Sequence, residues 1–182
     1  MIIELPNYVD NNTVNSIREL VQPYLPEQKK HTYNRDGKTV YISKENNLKE
    51  LDNQLNDIFT NLQRNVVKNR YKPAFNSGDS GYEYHMYDPG DVCHIHADGE
   101  LTDISNKTCL LRYASVVLHL NTIDQDGEFI FPAQNQKIKT EAGKIVIFPP
   151  YGMFQHYTTP STETREVIVT WFVYNGITVH RD

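Results

Sequence analysis

The chain has little of what would staple it, anchor it or leave it unfolded. Cysteine occurs only twice in 182 residues, at Cys93 and Cys109. Two thiols cannot build a disulfide framework, so a stapled secreted scaffold is excluded and a reducing, cytoplasmic setting is expected. No apolar run approaches the roughly 20 residues that cross a bilayer, so no membrane partner is expected. The opening Met1-Ile2-Ile3-Glu4-Leu5-Pro6 lacks the basic and apolar regions of a signal peptide. Repeats, low-complexity tracts and Pro/Gly/Ser linkers are also missing, which with the length predicts a single domain over 1–182. Basic side chains are outnumbered 18 to 23, for a formal net charge of −5. Nucleic acid is therefore not an expected partner, and a polypeptide substrate would be neutral or basic. What is present suffices for a core: 38% hydrophobic and 11% aromatic residues, with 12 tyrosines, exclude a disordered chain.

The period of the pattern changes along the chain. Asp10-Asn11-Asn12-Thr13 carries side chains suited to a helix cap, and Val14, Ile17, Leu20 and Val21 follow at helical spacing. A longer helix is predicted from Leu48, Leu51, Leu55, Ile58, Phe59, Leu62 and Val66, with Pro73 closing the region. From Tyr82 onward the apolar residues fall in short β-like runs at 82–87, 112–120, 128–132, 144–148 and 166–174. Asp-Pro-Gly, Asp-Gly, Ala-Gly and Pro-Pro-Tyr-Gly turns separate them. Short strands at this spacing suggest a sandwich or barrel. The expected architecture is α+β and mainly β, with helical support over about 1–75 and a β core over about 76–182.

Two of the seven histidines lie in His94-Ile95-His96-Ala97-Asp98. In an extended strand, His96 and Asp98 share a face and can converge on a metal; a polar strand end turning at Gly99 is the alternative. Downstream, His156 follows an apolar strand and a turn, and Arg165 opens the strand Arg165-Glu166-Val167-Ile168-Val169-Thr170-Trp171-Phe172. An arginine in so apolar a strand needs an anion, either Glu163 or Glu166 beside it or a carboxylate ligand. Two histidines and one carboxylate can hold one face of an octahedral Fe(II) and leave three positions open. Zinc would want a third histidine, which His94 could supply.

These residues resemble the Fe(II)- and 2-oxoglutarate-dependent dioxygenases, and within them the prolyl 4-hydroxylase-like group. The resemblance covers about half the chain. It rests on His96-x-Asp98, His156, Arg165 and Trp171, with Tyr87-Asp88-Pro89-Gly90 and Gly127-Glu128-Phe129-Ile130-Phe131-Pro132 in register. It implies a double-stranded β-helix, or jelly roll, with iron held by His96, Asp98 and His156. It also implies 2-oxoglutarate held through its far carboxylate by Arg165, O2 as second cosubstrate, and ascorbate as a possible reductant. Tyr87 would reach the cosubstrate or substrate. His119 matches a position that carries a cosubstrate-binding tyrosine in many relatives, with a satisfied core histidine as its alternative. Cys93 stands where prolyl hydroxylases carry tyrosine, and Trp171 packs under the site. The polar stretch 99–108 has no strand pattern and would cover the substrate, or else form a plain surface loop. The implied activity is hydroxylation of a prolyl residue in a peptide or protein, releasing succinate and CO2. A free amino acid or other small molecule is the alternative substrate, a non-catalytic metal-binding jelly roll the rival class, and nucleobase demethylation a weaker idea.

Overall fold

The structure, a computed structural model, describes residues 1–71, 77–99, 101–105 and 108–180, with backbone alone at 71, 101–105, 108–110 and 175–180. Pro73, expected to close the second helix, lies outside the described residues. In chain order the elements begin with β1 (Ile3–Leu5), α1 (Asn11–Val21), β2 (Lys30–His31), β3 (Asp36–Tyr41), α2 (Lys49–Leu62) and α3 (Lys68–Tyr71). Then follow β4 (Ser77–Asp79), β5 (Glu83–Tyr87), β6 (Leu101–Ser105), β7 (Thr108–His119) and β8 (Phe129–Phe131). The last four are β9 (Gln136–Ile138), β10 (Ile145–Phe148), β11 (Tyr157–Thr158) and β12 (Arg165–His180).

The strands form two antiparallel sheets. The larger runs β1-β10-β7-β12-β5-β3-β2, with β4 joined to β12 and β6 to β7; the smaller is β11-β8-β9. Two antiparallel sheets enclosing a core, with helices on the outside of one, make a jelly roll of mainly β character. The larger sheet is buried on both faces. Ile145, Ile147, Val116, Leu118, Ile168 and Phe172 face the helices, whereas Val146, Phe148, Val117 and Val167 face the smaller sheet. This double burial explains why these strands read as continuous apolar runs rather than alternating ones.

Helix α1 is capped as its sequence suggests, Asp10 accepting from the Thr13 backbone N–H at 3.0 Å. Helix α2 buries Leu51, Leu55, Phe59 and Leu62, spaced for one face, and continues through a π-type turn at Gln63–Val67. Each of these side chains contributes about 1.5–3 kcal/mol by burial against the sheet.

Two features differ from the sequence pattern. The first 75 residues supply β1, β2 and β3 to the larger sheet as well as helices. β1 and β2 are too short to show a period, and β3, Asp-Gly-Lys-Thr-Val-Tyr, carries a single buried aliphatic residue, Val40. Within 99–108, residues 101–105 form β6, paired with β7, while 100, 106 and 107 lie outside the described residues. An edge strand pairs through its backbone and needs no apolar alternation, so pattern alone misses it.

Candidate metal centre

His96 and His156 are paired across a short antiparallel bridge, each backbone N–H donating to the other's carbonyl at 3.1 and 2.8 Å. The bridge brings two residues 60 apart in sequence side by side, with ring centroids 4.4 Å apart. Each ring also donates Nδ1–H to the carbonyl two residues earlier: His96 to His94 at 2.7 Å and His156 to Phe154 at 3.0 Å. That contact orients each ring and leaves Nε2 as the nitrogen that can turn to a metal. Both Nε2 atoms turn toward Asp98 Oδ1, at 3.4 Å from His96 and 3.8 Å from His156. The three residues offer ligand atoms all within 4.8 Å of one another.

The electrostatics agree with a cation site. Burial disfavours charge on Asp98, but the His96 contact, His156 and Ser115 outweigh it and hold the carboxyl far below the usual range. Burial also opposes charge on His96, yet Asp98 and the nearby Cys93 push its pKa up to about 10. Burial keeps His156 neutral, and Phe129, Phe131 and Phe148 wall its ring at centroid distances of 5.2, 5.5 and 4.7 Å. A proton held between His96 and Asp98 is what an entering divalent ion would displace.

His94 turns away, with Nε2 3.2 Å from Asp36 Oδ2, so it supplies no third imidazole. The donor set stays at two histidines and one carboxylate, which suits Fe(II) with open positions better than closed tetrahedral zinc.

A cavity of about 240 Å³ opens beside this cluster. Along β12, Arg165, Val167, Val169 and Trp171 all face it, while Glu166, Ile168 and Phe172 face the helices. Arg165 is buried, with its guanidinium carbon 4.1 Å above the Tyr87 ring. Neither neighbouring glutamate neutralises it. Glu166 takes Arg18 at 2.7 and 2.8 Å and the Tyr84 hydroxyl at 2.5 Å, and Glu163 accepts from the Asp124 backbone. Among the described residues no carboxylate pairs with Arg165, so one end of the cavity has a cation in want of an anion.

The remaining candidates divide. Tyr87, Cys93 and Trp171 line the cavity. Burial pushes the Tyr87 phenol up, and the Cys93 sulfur lies 3.7 Å from His96 Nδ1. His119 does not line it but is fully buried across from Val167, and neither ring nitrogen has a partner among the described residues. Burial, aided by the charges of Arg165 and Lys144, pushes its pKa down to about 3, so the ring is neutral.

Sequence reading missed the outer cavity wall: Arg35, Glu83, His85 and Arg112. The signal was available for two of them. Glu83 and His85 alternate with Tyr87 on one face of β5, where inward charge in a strand marks a site. Arg112 sits at a register shift between β7 and β12, which no period reveals.

The chain matches the family model described as the 2OG-Fe(II) oxygenase superfamily over residues 82–173. No curated protein matches it by sequence. Among solved structures it is similar to the viral collagen prolyl hydroxylase vCPH of Paramecium bursaria Chlorella virus-1 in its 2-oxoglutarate complex. That match has TM-score 0.73 and 16% identity, covering 95% of this chain and 96% of the other. A Pseudomonas putida prolyl-4-hydroxylase gives TM-score 0.67 and 17% identity over 96% and 93%. A Trichoplax adhaerens prolyl hydroxylase, bound to a fragment of the hypoxia inducible factor oxygen degradation domain, gives 0.68 and 14% over 95% and 83%. These likenesses show the shared fold, and the matched model spans half the chain, including the His96–Asp98–His156 cluster and Arg165. The chain belongs to the 2OG-Fe(II) oxygenase superfamily.

Proposed function

We propose that this protein is an Fe(II)- and 2-oxoglutarate-dependent hydroxylase of prolyl residues in a peptide or protein. One observation carries the reading: a single cavity holds both the His96–Asp98–His156 cluster and a buried Arg165 that has no carboxylate partner among the described residues. A metal site and a guanidinium at this placement suit the two ends of a small dianion. His96, Asp98 and His156 would hold Fe(II), and Arg165 would hold the far carboxylate of 2-oxoglutarate. Tyr87, stacked under the guanidinium, would complete that carboxylate subsite, and the neutral His119, whose ring nitrogens find no partner among the described residues, is buried outside the cavity lining. The chemistry supplied by these groups when bound is insertion of one oxygen atom of O2 into a C–H bond, with succinate and CO2 released. The chain's own part is positional. Phe129, Phe131, Phe148 and Val167 exclude water, and the two Nδ1–H contacts keep the imidazoles oriented.

Similarity to prolyl hydroxylases, one of them holding a peptide fragment, supports a peptidyl substrate. A free amino acid is the second reading, favoured by the modest cavity of about 240 Å³. Incubation with Fe(II), ascorbate, 2-oxoglutarate and proline-rich peptides is expected to add the mass of one oxygen atom to a peptide. Turnover of 2-oxoglutarate with every peptide unchanged would overturn the prolyl assignment. In calorimetry with Mn(II), Arg165→Ala should keep the metal and lose 2-oxoglutarate. If both are retained, Arg165 is not the carboxylate anchor.

A further inference from the structure

At the outer end of the cavity, two residues bury N–H groups that find no acceptor among the described residues: Nε of Arg112 and Nε1 of Trp171. They lie together, the Arg112 guanidinium carbon 4.1 Å from the Trp171 ring. Arg112 uses one arm, Nη1, on the Asp98 carbonyl at 2.8 Å, and no carboxylate pairs with it among the described residues. Buried donors without acceptors are rare in native structures, and a pair of them on one wall points to an acceptor that arrives with a ligand.

The charge of this wall points the same way. Arg35 also lines it, and its Nη2 is a loose 3.8 Å from Glu83 Oε2. Among the described residues Glu83 is the one carboxylate of the outer wall, Asp98 belonging to the metal cluster, and it is already engaged. His85 Nε2 lies 3.3 Å from it, while Thr39 Oγ1 meets the opposite ring nitrogen at 2.9 Å. Burial keeps His85 neutral, so its Nε2–H donates to Glu83 and Nδ1 accepts from Thr39. Burial resists ionisation of Glu83, but His85, Arg35 and Arg112 prevail and keep it charged. Among the described residues of the outer wall two guanidinia thus face one carboxylate, leaving a positive excess there in a chain whose net charge is −5.

We infer that the outer cavity is a carboxylate subsite: the substrate carries an acidic group that binds between Arg112 and Arg35 beside Trp171. A carboxylate supplies two acceptor oxygens to the orphaned donors and balances the unpaired guanidinium. The group is either an acidic side chain next to the target proline or the α-carboxylate of a free amino acid. This reverses the preference for a neutral or basic substrate drawn from net charge, because the field at a low-dielectric cleft is set by its own lining. Glu83 acts as a gate on strength: it competes for the same cations.

The inference rests on the hydroxylase reading above, and the test separates the two. Trp171 is the only tryptophan, so the fluorescence of the protein loaded with Mn(II) and 2-oxoglutarate reports on this wall directly. The probes are capped proline peptides with glutamate, glutamine or lysine before the proline, together with free proline. The glutamate peptide is expected to bind about tenfold or more tightly than the lysine peptide. Arg35→Gln should narrow that gap, and Glu83→Gln should widen it. A response to the glutamate peptide alone assigns a side-chain acid, and a response to free proline alone assigns an amino acid. Equal binding of the three peptides with no binding of free proline, or preference for lysine, overturns the carboxylate subsite and leaves the hydroxylase reading standing. Charge-selective binding with no oxygen added under Fe(II) and O2 overturns that reading and leaves the subsite. No response to any probe overturns the subsite, and hydroxylation of the same peptides by mass then decides the other.

Discussion

Among individual residues, the ones that matter most are charged or polar groups held where water cannot reach them. His96 and Asp98 share a proton-binding contact at 3.4 Å, and burial makes each dependent on the other. Mn(II) entering the site must remove the proton that His96 holds, so binding near neutral pH should release about one proton per metal. Apparent affinity then rises with pH. Calorimetry in two buffers of different ionisation enthalpy measures this, and a buffer-independent heat would contradict it. His119 makes a separate prediction. Its folded pKa is pushed down to about 3 from an ordinary 6.5, so the unfolded chain binds the extra proton as pH falls. Stability should therefore be complete above about pH 6.5 and decline toward pH 3, and His119→Leu should flatten that part of a pH-dependent denaturation series. An unchanged slope in the variant would show that the ring is already protonated in the fold.

At the scale of elements, the strands do the positioning and the turns set how closely helices approach. Gly143 precedes β10 with φ +77, and a Cβ there would come within 2.0 Å of the Val9 carbonyl oxygen. Its own carbonyl accepts from the Val9 N–H at 3.1 Å, and its N–H donates to His119 at 2.9 Å. One glycine thereby joins the segment leading into α1 to the strand carrying His119. Gly143→Ala adds both a left-handed backbone penalty and a backbone clash, for an expected loss of about 2–4 kcal/mol. A urea midpoint within error of wild type would show that the loop relaxes freely.

The register of β12 with β5 has a similar consequence. Arg165 lies opposite Tyr87 and Val169 opposite Glu83, so the cavity runs along one strand from the Arg165 end to the Glu83 end. A one-residue slip would send all four cavity residues of β12 toward the helices.

For the molecule as a whole, the decisive link joins the first helix to the last strand. Arg18 of α1 grips Glu166 of β12 through two hydrogen bonds, 148 residues apart in sequence, with Tyr84 of β5 on the same carboxylate. Glu166 is buried, but Arg18 is 39% exposed on its side chain, so solvent screens part of the interaction. Glu166→Gln is expected to cost about 2 kcal/mol in chemical denaturation. Because Glu166 points away from the cavity, 2-oxoglutarate affinity should stay near wild type; a large loss would mean that this clasp also positions Arg165.

How much could be read in advance follows the range of each interaction. The capped start of α1, the apolar face of α2, and the apolar strands β5, β7, β8, β10 and β12 were legible, because helix caps and double burial leave a local pattern. His96, Asp98, His156 and Arg165 could be picked out as candidates from the strand and turn signals beside them, and the fold places all four around one cavity. β1, β3 and β6 were not legible, because they are short or polar strands stabilised by backbone pairing to residues far along the chain. Nor could spacing say whether Arg165 pairs with Glu166, or whether His94 joins the metal cluster. Sequence by itself determined the composition of the site: two imidazoles, a carboxylate and an arginine on β-forming segments. Only the tertiary structure decided their partners and the sign of the charge around them. Coulombic and hydrogen-bond energies depend on distance in space and on exclusion of water, and both are properties of the packed fold.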